Sequence, residues 1–428
     1  MNGDLAATTH TSNVAPPYER PVESVDSKFV KAGVTWLVTR SWLHTFLRKF
    51  FPILDLCLLR MTLVTRYDDA TEVLSRHDVF HVPFAKEMAR LNDGEAPGTP
   101  FILGIDNQRQ HDTQLKQVMS VFLRSDVEKL VAIPSYEFAQ VRLAKAGDGQ
   151  LDAVRELITA VPLEICKWYF GVNVDIDLDR QKFADAAMDV SGHLFGKPPV
   201  DPIDEVDRAA DYVRWVVDQS IDKALSAQTR ADNILTRLVE MKFDRKTIRA
   251  FLMGMIVGFV PTNTMAGGHI LEMLLSRREY MERSQAAAKA GDDDLLRHCL
   301  FETLRFMPIN PGPFRLCSRD YEIAAGTPRA KVVRRDRTVF VMDMSAMADP
   351  EQVDNPKIFD PSRPASNYLN FGFGMHWCAG AFIAQAQITQ TFKPLLRARK
   401  VERVDGSRGE LQRRAGFPDH LFVSFKEV

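Results

Sequence analysis

Apolar residues recur at helical spacing through most of the interior of the chain, from Asp106 to Leu275, with a Pro/Gly-rich interruption at residues 196–202. The pattern changes after Arg305, where short alternating runs such as TVFVMDM are separated by turn signals such as ADPEQVDNP. A helical pattern returns behind Cys378, and the chain closes on LFVSF, which is typical of a strand. These patterns predict a mainly α fold with small β-sheets in a single large domain.

Two segments near the start of the chain carry other patterns. Residues 1–28 are polar and lack the basic start and apolar stretch of a signal peptide, so we expect a flexible N-terminal tail ahead of one domain at residues 29–428. Residues 42–64 are apolar but contain four charged side chains, too many for a bilayer crossing. They predict an amphipathic helix packed on the body, followed by a strand. A peripheral membrane contact is the less favoured alternative.

A proline stands inside the most apolar helical stretch, MIVGFVPTNTMAGGHI at residues 255–270. Pro261 has no backbone N–H, and its ring presses on the carbonyl of Val257, which costs roughly 3 kcal/mol in an ordinary helix. It is followed directly by three polar residues, Thr262, Asn263 and Thr264. Only about a dozen apolar residues precede this point, too few to cross a membrane. The sequence therefore indicates an interrupted core helix.

Composition narrows the functional classes. The chain of 428 residues has a formal net charge of -1 and a pI of about 6.8, so it lacks the basic surface expected of a protein that binds nucleic acid. Its odd number of cysteines includes no C-x-x-C pair, which argues against a disulfide framework and favours a cytoplasmic, reducing location. The cysteines are Cys57, Cys166, Cys299, Cys317 and Cys378.

The loop FGFGMHWCAG, at residues 371–380, carries the clearest chemistry. Its glycines permit backbone conformations and close approaches that other residues cannot reach. Cys378 precedes the helical pattern AGAFIAQAQITQTF, and a helix start favours a thiolate over a thiol. A thiolate in so tight a loop is what ligation of haem iron requires. The alternatives are a structural cysteine and a zinc site with His376, and zinc is disfavoured because no second Cys/His pair has ligand spacing.

The spacing F-x-x-G-x-H-x-C-x-G resembles the haem-binding loop of the cytochromes P450, and it is formed here by Phe371, Gly374, His376, Cys378 and Gly380. The resemblance extends over about residues 60–428, which look like bacterial soluble members. It implies the cytochrome P450 fold, a haem-thiolate catalytic domain, and haem b (iron protoporphyrin IX) with Cys378 as the axial ligand of its iron. It also implies that Phe371, Gly372 and Gly380 belong to the cofactor-binding loop.

Glu302 and Arg305 resemble the family's E-x-x-R pair, and Arg363 in FDPSRP matches the third member of its buried ion network. Residues three apart on a helix share a face, so the carboxylate and guanidinium can form one hydrogen-bonded unit. The resemblance gives these three residues the structural role of holding the cysteine loop. Because the spacing recurs elsewhere, the position ahead of that loop selects this pair. The other instances are Glu87/Arg90 and Glu410/Arg413.

Cationic donors beside the carboxylates of haem are expected in this family. Arg315 and His376 match residues that reach a haem propionate. Lys116 lies where an arginine usually meets a propionate, and a lysine lacks the bidentate fork. His111 falls one residue from the usual position of a histidine. The alternatives are a surface ion pair for Arg315 and a loop-capping imidazole for His376.

The central helix departs from the family pattern Ala/Gly-Gly-x-Asp/Glu-Thr, which lies on the oxygen side of haem. Aligned without gaps, Phe259 replaces the glycine, Pro261 replaces the acid and Thr262 is the alcohol. The family's helix opens locally at this point, which would offset part of the cost of the proline. Thr262 is therefore the first candidate for a distal catalytic hydrogen bond, and Asn263 is the second. Pro261 cannot relay a proton because it has no titratable group.

The resemblance implies an O2-dependent monooxygenase that hydroxylates an apolar small molecule, with electrons from NAD(P)H delivered indirectly by a ferredoxin and its reductase. The alternative is a peroxygenase or hydroperoxide isomerase, which needs neither an acid relay nor a redox partner. One peroxide-using branch has an Arg-Pro carboxylate anchor, which is missing here because the chain has Val260-Pro261. A non-catalytic haem sensor is a third hypothesis. Six phenylalanines fall in segments that line the substrate pocket of this fold, or are plain core residues: Phe80, Phe84, Phe195, Phe259, Phe314 and Phe417.

Overall fold

The computed structural model describes residues 14–20, 40–146, 149–175, 179–196, 198–228 and 231–426. In these residues the α-helices are α1 Ser41–Phe50, α2 Tyr67–Ser75, α3 Ala85–Asp93, α4 Gln108–Val121, α5 Ile133–Ala144, α6 Ala160–Ile165, α7 Arg180–Leu194, α8 Asp204–Ser226, α9 Ile234–Glu240, α10 Arg245–Ser276, α11 Arg278–Ala290, α12 Asp293–Phe306, α13 Asp343–Ala346 and α14 Ala381–Arg397. Segments of π-helix occupy Val127–Ala132, Ala153–Ile158 and Cys166–Phe170.

The strands are short and most of them lie in the final third of the chain. They are β1 Ile53–Leu56, β2 Met61–Val64, β3 Phe80–His81, β4 Gln150–Asp152, β5 Phe314–Cys317, β6 Tyr321–Ile323, β7 Lys331–Val333, β8 Thr338–Val341, β9 Lys400–Arg403, β10 Gln412–Arg414, β11 Phe417–His420 and β12 Phe422–Lys426. This mainly helical architecture with small sheets agrees with the prediction from the sequence. The strand expected at the end of the chain is β12, and the helix expected behind the cysteine is α14.

The largest sheet has the strand order β1-β2-β8-β5-β3. β2 runs parallel to β8, whereas β5 runs antiparallel to β8 with Arg315 opposite Val339. β8 leads into α13, and the loop before β5 contacts that helix through a 3.2 Å hydrogen bond from Met344 N to Pro311 O. The sheet therefore brings the loop that follows α12 against the start of α13. The remaining sheets have the orders β4-β12-β9, β10-β11 and β6-β7.

Helix α10 crosses the centre of the protein and is buried along most of its length. By length and composition it could cross a bilayer, but 83% of its most apolar window is buried inside the protein, which makes it a core helix. The expected interruption at Pro261 is wrong, because α10 continues through it. Val257 loses one intrahelical bond, but the hydroxyl of Thr262 donates to Gly258 O at 2.5 Å, and packing on both flanks retains the helix.

Three helices that carry the sequence motifs share one hydrophobic cluster. It includes Ile270 and Leu271 of α10, Leu300 and Leu304 of α12, and Ile388 and Phe392 of α14. All six side chains are almost completely buried. This common core sets the cysteine helix, the E-x-x-R helix and the proline-containing helix at fixed distances from one another.

Part of the predicted N-terminal tail is packed on the body. Tyr18 is 5% exposed, donates a 2.7 Å hydrogen bond to Asp189 and stacks on Tyr212. Arg20 pairs with Asp185 at 2.9 Å and with Asp189 at 3.3 Å. The flexible-tail prediction is therefore wrong for residues 14–20. Asp185 and Asp189, one turn apart on α7, pair with Arg20 and hold this segment on the body. Residues 1–13 and 21–39 lie outside the described residues.

The amphipathic helix predicted within residues 42–64 is α1, and strands β1 and β2 follow it. Leu47 and Arg48 are buried, and Arg48 donates to Ser345 O at 2.8 Å. Trp42 and Phe50 on the same helix are 61% and 57% exposed. The helix is thus attached to the body by one face only.

His269 connects α10 to two distant segments. Its Nδ1 lies 2.9 Å from Pro308 O, and Nη2 of Arg413 lies 2.9 Å from its Nε2. Because the carbonyl only accepts and the guanidinium only donates, the neutral ring with a proton on Nδ1 satisfies both bonds. Burial, reinforced by the charge of Arg413, lowers the pKa of His269 from 6.5 to about 3.

We predict that His269 makes folding stability fall with acidification. The unfolded chain binds a proton below about pH 6.5, whereas the folded chain binds it only near pH 3, so the native state loses about 2 kcal/mol from this group between pH 7 and pH 5. His269→Gln should remove that loss. Urea unfolding of both proteins at pH 7, 6 and 5 measures the difference, and parallel pH profiles would contradict it.

Candidate functional site

The cysteine loop is built on two glycines and a short hydrogen bond. Gly372 and Gly374 have φ of +75° and +68°, and a Cβ on Gly374 would lie 2.8 Å from the carbonyl oxygen of Leu74. The N–H of Cys378 donates to Phe371 O at 2.9 Å, which closes the loop just before α14. The ring of Phe371 packs on Phe301 of α12 at 5.6 Å. The loop therefore presents the sulfur from a rigid turn.

Cys378 lines the main cavity of the protein. Burial raises the pKa of its thiol, and the N–H of Gly380 lowers it by a smaller amount. In the free thiol, desolvation of the sulfur therefore outweighs the neighbouring N–H group that favours a thiolate. A bound metal ion deprotonates a coordinating thiol outright, so the thiolate would form with iron rather than before it.

The predicted ion network is present beneath the loop. Glu302 is 0% exposed, and its carboxylate pairs with Arg305 at 2.8 Å and Arg363 at 3.3 Å. It also accepts from the hydroxyl of Tyr368 at 2.8 Å and the backbone N–H of Asp360 at 3.2 Å.

The other N–H groups of Arg305 and Arg363 donate to backbone carbonyls. Those carbonyls belong to Met347, Asp354, Asn355, Pro356 and Ile358. The network thus ties α12 to the segment that precedes the cysteine loop. Of the other E-x-x-R instances, Glu87 and Arg90 form a separate ion pair that extends to Asp207 of α8.

Of the four predicted propionate contacts, His376 and His111 lie together, whereas Lys116 lies apart on the surface. Arg315 is 7% exposed, and its guanidinium donates to Phe314 O at 2.9 Å. His376 pairs through Nε2 with Asp106 at 3.0 Å, and the buried ring of His111 packs edge-on against it at 5.5 Å. Burial, followed by the charge of His376, lowers the pKa of His111. Lys116 is exposed, and it does not line the cavity beside Cys378 or the smaller depression beside His111 and His376.

The main cavity, which lies between the cysteine loop and α10, has a volume of about 340 Å³. This volume lies within the roughly 300–1,000 Å³ that is typical of small-molecule and cofactor pockets. The wall includes five phenylalanines on the side of α10, and these are Phe101, Phe122, Phe170, Phe195 and Phe259.

Two of the six predicted pocket phenylalanines, Phe195 and Phe259, belong to this wall. The other four do not: Phe84 packs on Phe195 at 5.0 Å, Phe314 stacks on Phe340, Phe417 approaches Gly192, and Phe80 is buried in the core behind β3. Phe101, Phe122 and Phe170 were missed, because no spacing in the sequence distinguishes a cavity wall from a core face.

Thr262 and Asn263 both line the cavity, but their side chains differ in availability. The hydroxyl of Thr262 donates back to Gly258 O at 2.5 Å, with Phe259 O at 3.3 Å. Asn263 is 3% exposed, and its Nδ2 has no hydrogen-bond partner among the described residues. A buried amide left unpaired costs about 1–3 kcal/mol, so Asn263 is the donor that a ligand in the cavity would complete.

These residues fit a haem group. Cys378 would supply a soft sulfur ligand to the iron, and Phe371, Gly372 and Gly380 lie beside it in the cavity wall. Arg315 is a buried cation, and the one hydrogen bond that its guanidinium donates within the described part of the chain goes to the carbonyl of Phe314. Among the described residues, no group of three His, Cys, Asp or Glu side chains could hold a metal ion by itself.

Comparison with known proteins places this geometry in a family. The family described as Cytochrome P450 matches residues 39–416. A solved structure of a mutant of P450 EryK in complex with erythromycin B superimposes with a TM-score of 0.74 and 22% identity, covering 92% of this chain and 97% of that one. The haem domain of a Tepidiphilus thermophilus P450 gives a TM-score of 0.73 with 19% identity over 91% and 94% of the two chains.

Two kinds of curated relative are similar in sequence. The erythromycin C-12 hydroxylase of Saccharopolyspora erythraea is 28% identical over 319 residues, which cover 71% of this chain and 74% of that protein. A bifunctional dioxygenase–epoxy alcohol synthase of Pyricularia oryzae is 35% identical over 116 residues, or 27% of this chain. That match spans only 10% of the length of the fungal protein.

We predict that Glu302→Gln lowers the free energy of unfolding by about 3–5 kcal/mol, because it leaves two buried guanidinium groups without their anion. Urea unfolding measures the loss. The control is Glu282→Gln, which removes an exposed carboxylate paired with Arg278 at 2.6 Å and should have little effect. Equal effects of the two substitutions would contradict the role of the buried network.

We predict that Cys378→Ala abolishes the thiolate-type absorbance spectrum of the reduced, CO-bound protein, since Cys378 carries the only thiol in the described part of the cavity wall. The matched control is Cys166→Ala, which removes another buried thiol remote from the cavity wall and should keep the spectrum. Retention of the spectrum in Cys378→Ala would refute the ligand assignment.

Proposed function

Because the chain belongs to the cytochrome P450 family and is a P450-type monooxygenase, we propose that it uses O2 to hydroxylate an apolar small molecule held in the main cavity. One oxygen atom enters the substrate as a hydroxyl group and the other leaves as water, with two electrons and two protons from outside. The electrons come from NAD(P)H through a ferredoxin and a ferredoxin reductase. Haem b, held by Cys378, supplies the oxygen activation when it is bound.

The observation that carries this proposal is an apolar cavity with the cysteine on one side and hydrogen-bonding side chains of α10 on another. Aromatic and aliphatic side chains in the wall favour an apolar substrate and exclude bulk water. Gly258 leaves open space on α10, since the nearest atom to a Cβ there would be Leu103 Cδ1 at 3.8 Å, whereas the ring of Phe101 fills the space at Gly254. The substrate is thus enclosed by packing rather than by charge.

We assign the distal hydrogen bond to Asn263 and Thr262 acting together. The Nδ2–H of Asn263, which has no partner among the described residues, would donate to a polar atom of a ligand in the cavity. The hydroxyl of Thr262 donates to Gly258 O, so its oxygen can accept a hydrogen bond from an ordered water on the cavity side. Pro261 leaves this side of the helix without a titratable group. Proton delivery in this chain therefore relies on hydroxyl, amide and water groups.

A second candidate function is the use of a hydroperoxide as oxidant, in a peroxygenase or hydroperoxide isomerase. Pro261 favours it, because a hydroperoxide brings both oxygen atoms and both electrons and needs no acid to protonate reduced oxygen. The local similarity to a dioxygenase–epoxy alcohol synthase also supports it. The third hypothesis, a haem sensor, lacks a comparable supporting observation.

The cysteines bear on the cellular compartment in which the protein works. All five cysteines are free thiols in the structure, and three of them are buried. Free buried thiols are typical of proteins kept in a reducing compartment. We therefore propose that the protein acts in the cytoplasm.

The two oxidants can be separated without knowing the native substrate. Purified ferric protein is mixed with hydrogen peroxide, and separately with a fatty-acid hydroperoxide, in a stopped flow without reductant. The O2-dependent function predicts slow bleaching of the haem absorbance with less than one hydroperoxide consumed per second. Rapid catalytic loss of hydroperoxide with intact haem would overturn it in favour of the second candidate.

A substitution at Pro261 is the companion test. Pro261→Asp restores a general acid, which typically contributes about 10²–10⁴-fold, so O2-dependent turnover with NADH and a surrogate ferredoxin and reductase should rise at least about tenfold. Pro261→Ala is the control, because it restores the backbone N–H without a titratable group. An equal rise in both variants would assign the effect to the helix backbone, and no rise in either would favour the hydroperoxide function.

A further inference from the structure

The outer face of α1 carries a row of exposed aromatic side chains. Trp42, Phe46 and Phe50 follow one another at intervals of four residues, so they lie on one side of the helix. Each of them is between 46% and 61% exposed. The rings of Phe46 and Phe50 are 5.2 Å apart, and Phe51 extends this aromatic row at 5.9 Å from Phe46. α1 therefore presents an apolar surface to solvent.

The aromatic row is not the face that attaches α1 to the body. The buried residues of the helix are His44, Leu47 and Arg48. Leu47 packs with Met61 of β2 in a small cluster on the main sheet, and Arg48 donates to the backbone and side-chain oxygens of Ser345 at 2.8 and 2.9 Å. A surface helix normally has charged or polar side chains opposite its buried face. α1 instead has apolar side chains on both faces.

The turn between β1 and β2 adds two further exposed apolar side chains. Leu58 is fully exposed and Leu59 is more than half exposed. The turn ends at Arg60, and Met61, the next residue, belongs to the same cluster as Leu47 of α1. The turn therefore lies at the part of the sheet that α1 covers. Neighbouring exposed apolar side chains of this kind mark a site that meets another molecule.

The charges around this surface are mainly positive. The segment from α1 to β2 contains one acid, Asp55, and that acid lies 3.5 Å from Arg337. The basic side chains of Lys49 and Arg60 are exposed. Nζ of Lys49 lies 5.3 Å from the centre of the Phe50 ring, which places a cation beside the aromatic row. An apolar surface bordered by cations is complementary to a surface with anionic groups outside and apolar groups beneath.

We propose that α1 and the β1–β2 turn form a docking surface for an anionic lipid bilayer. The aromatic row enters the boundary between headgroups and acyl chains, where Trp and Phe are favoured, and Lys49 and Arg60 face the lipid phosphates. With 10 residues, α1 is too short to cross the bilayer and lies in its plane. The exposed face of α1 thus favours the peripheral contact that the sequence pattern left as the lesser alternative.

A second copy of this chain is the competing occupant, and the charges disfavour it. α1 contains no Asp or Glu, so a two-fold contact between two such helices would bring like charges together with no acid on either helix. Lysine is also depleted at the centre of protein–protein interfaces. Lipid phosphates supply the negative charge that a second α1 lacks. The inference uses neither the cavity nor the oxidant, so it is independent of the proposed function.

Vesicle binding tests the apolar part of this surface. Haem-loaded, full-length protein is sedimented with vesicles of phosphatidylcholine, or of phosphatidylcholine and phosphatidylglycerol in equal parts, and the bound fraction is measured. Wild type should bind the anionic vesicles. The triple variant Trp42→Ser/Phe46→Ser/Phe50→Ser should lower the partition coefficient about tenfold or more, because it removes the side chains that enter the bilayer. Since all three are exposed, the haem absorbance spectrum should stay unchanged.

The same assay tests the cations and includes a matched control. Lys49→Gln/Arg60→Gln should weaken binding to the anionic vesicles about tenfold and leave binding to phosphatidylcholine unchanged, because each cation near an anionic surface contributes about fivefold. Added salt should weaken wild-type binding in the same direction. Trp168→Ser is the control, since it removes a tryptophan that is 54% exposed on the segment Cys166–Phe170, outside this surface. It should bind as wild type does.

Lipid quenching identifies the residue that enters the bilayer. Vesicles with brominated acyl chains quench tryptophan fluorescence at short range, and the chain has five tryptophans. Wild type should lose part of its fluorescence on these vesicles. Trp42→Phe keeps an aromatic ring at the position and should remove most of that quenching, whereas Trp168→Phe should retain it.

The proposal is overturned if wild type stays in the supernatant with both kinds of vesicle, or if the triple variant binds as tightly as wild type. It is equally overturned if quenching in Trp42→Phe equals that of wild type, because another part of the protein would then enter the bilayer. Sedimentation velocity without lipid tests the competing occupant. A wild-type dimer that the triple variant abolishes, together with no vesicle binding, would assign the surface to a second copy of the chain.

Discussion

The carboxylate of Glu302 is the group on which the candidate site depends. It has no contact with solvent, and it receives hydrogen bonds from two guanidinium groups, one tyrosine hydroxyl and one backbone N–H. A charge buried this deeply is tolerated only when it is paired and fully hydrogen-bonded. Because its partners lie up to 66 residues away, on the segment before the cysteine loop, satisfying Glu302 also positions that loop. The electrostatic requirement of one side chain thereby becomes a constraint on the geometry of Cys378.

The Glu302 network is fully hydrogen-bonded, whereas the described part of the cavity wall contains buried polar atoms without partners. Buried polar atoms in native proteins are almost always hydrogen-bonded, yet Nδ2 of Asn263 and Oδ1 of Asp343 are not bonded within the described structure. Both atoms belong to side chains that line the cavity, one on α10 and one on α13. The protein retains their desolvation cost, which binding of a ligand would offset. These two atoms are therefore available to a ligand that occupies the cavity.

Helix α10 combines rigidity with a local defect. Its flanks are buried, and His269 holds its C-terminal half to the loop after α12 and to β10, so one missing hydrogen bond at Pro261 does not open the helix. The defect instead alters chemistry, since the position carries no acid and the next residue bonds back to the helix. The cost of the proline is spread over a large core. A helix less completely packed would bend or end there.

The sequence by itself determined the elements whose meaning is local. The glycines and cysteine of residues 371–380, the E-x-x-R spacing and the change from helical to strand-like patterns all depend on neighbours within a few residues. The mainly helical fold with small sheets and the family could therefore be predicted, and the comparisons confirm them. Each of these features is set by backbone geometry and by side-chain spacing along one element.

Only the tertiary structure decided which distant groups meet. His376 pairs with Asp106, which is 270 residues away, and Tyr18 of the supposed tail bonds to Asp189 on α7. Four of six expected pocket phenylalanines pack elsewhere, and the thiol of Cys378 has a raised rather than a lowered pKa. Burial and desolvation are properties of the assembled core, because they depend on every segment that covers a group. The sequence pattern of one segment does not show which other segments cover it, so these features could be recognised only in the folded structure.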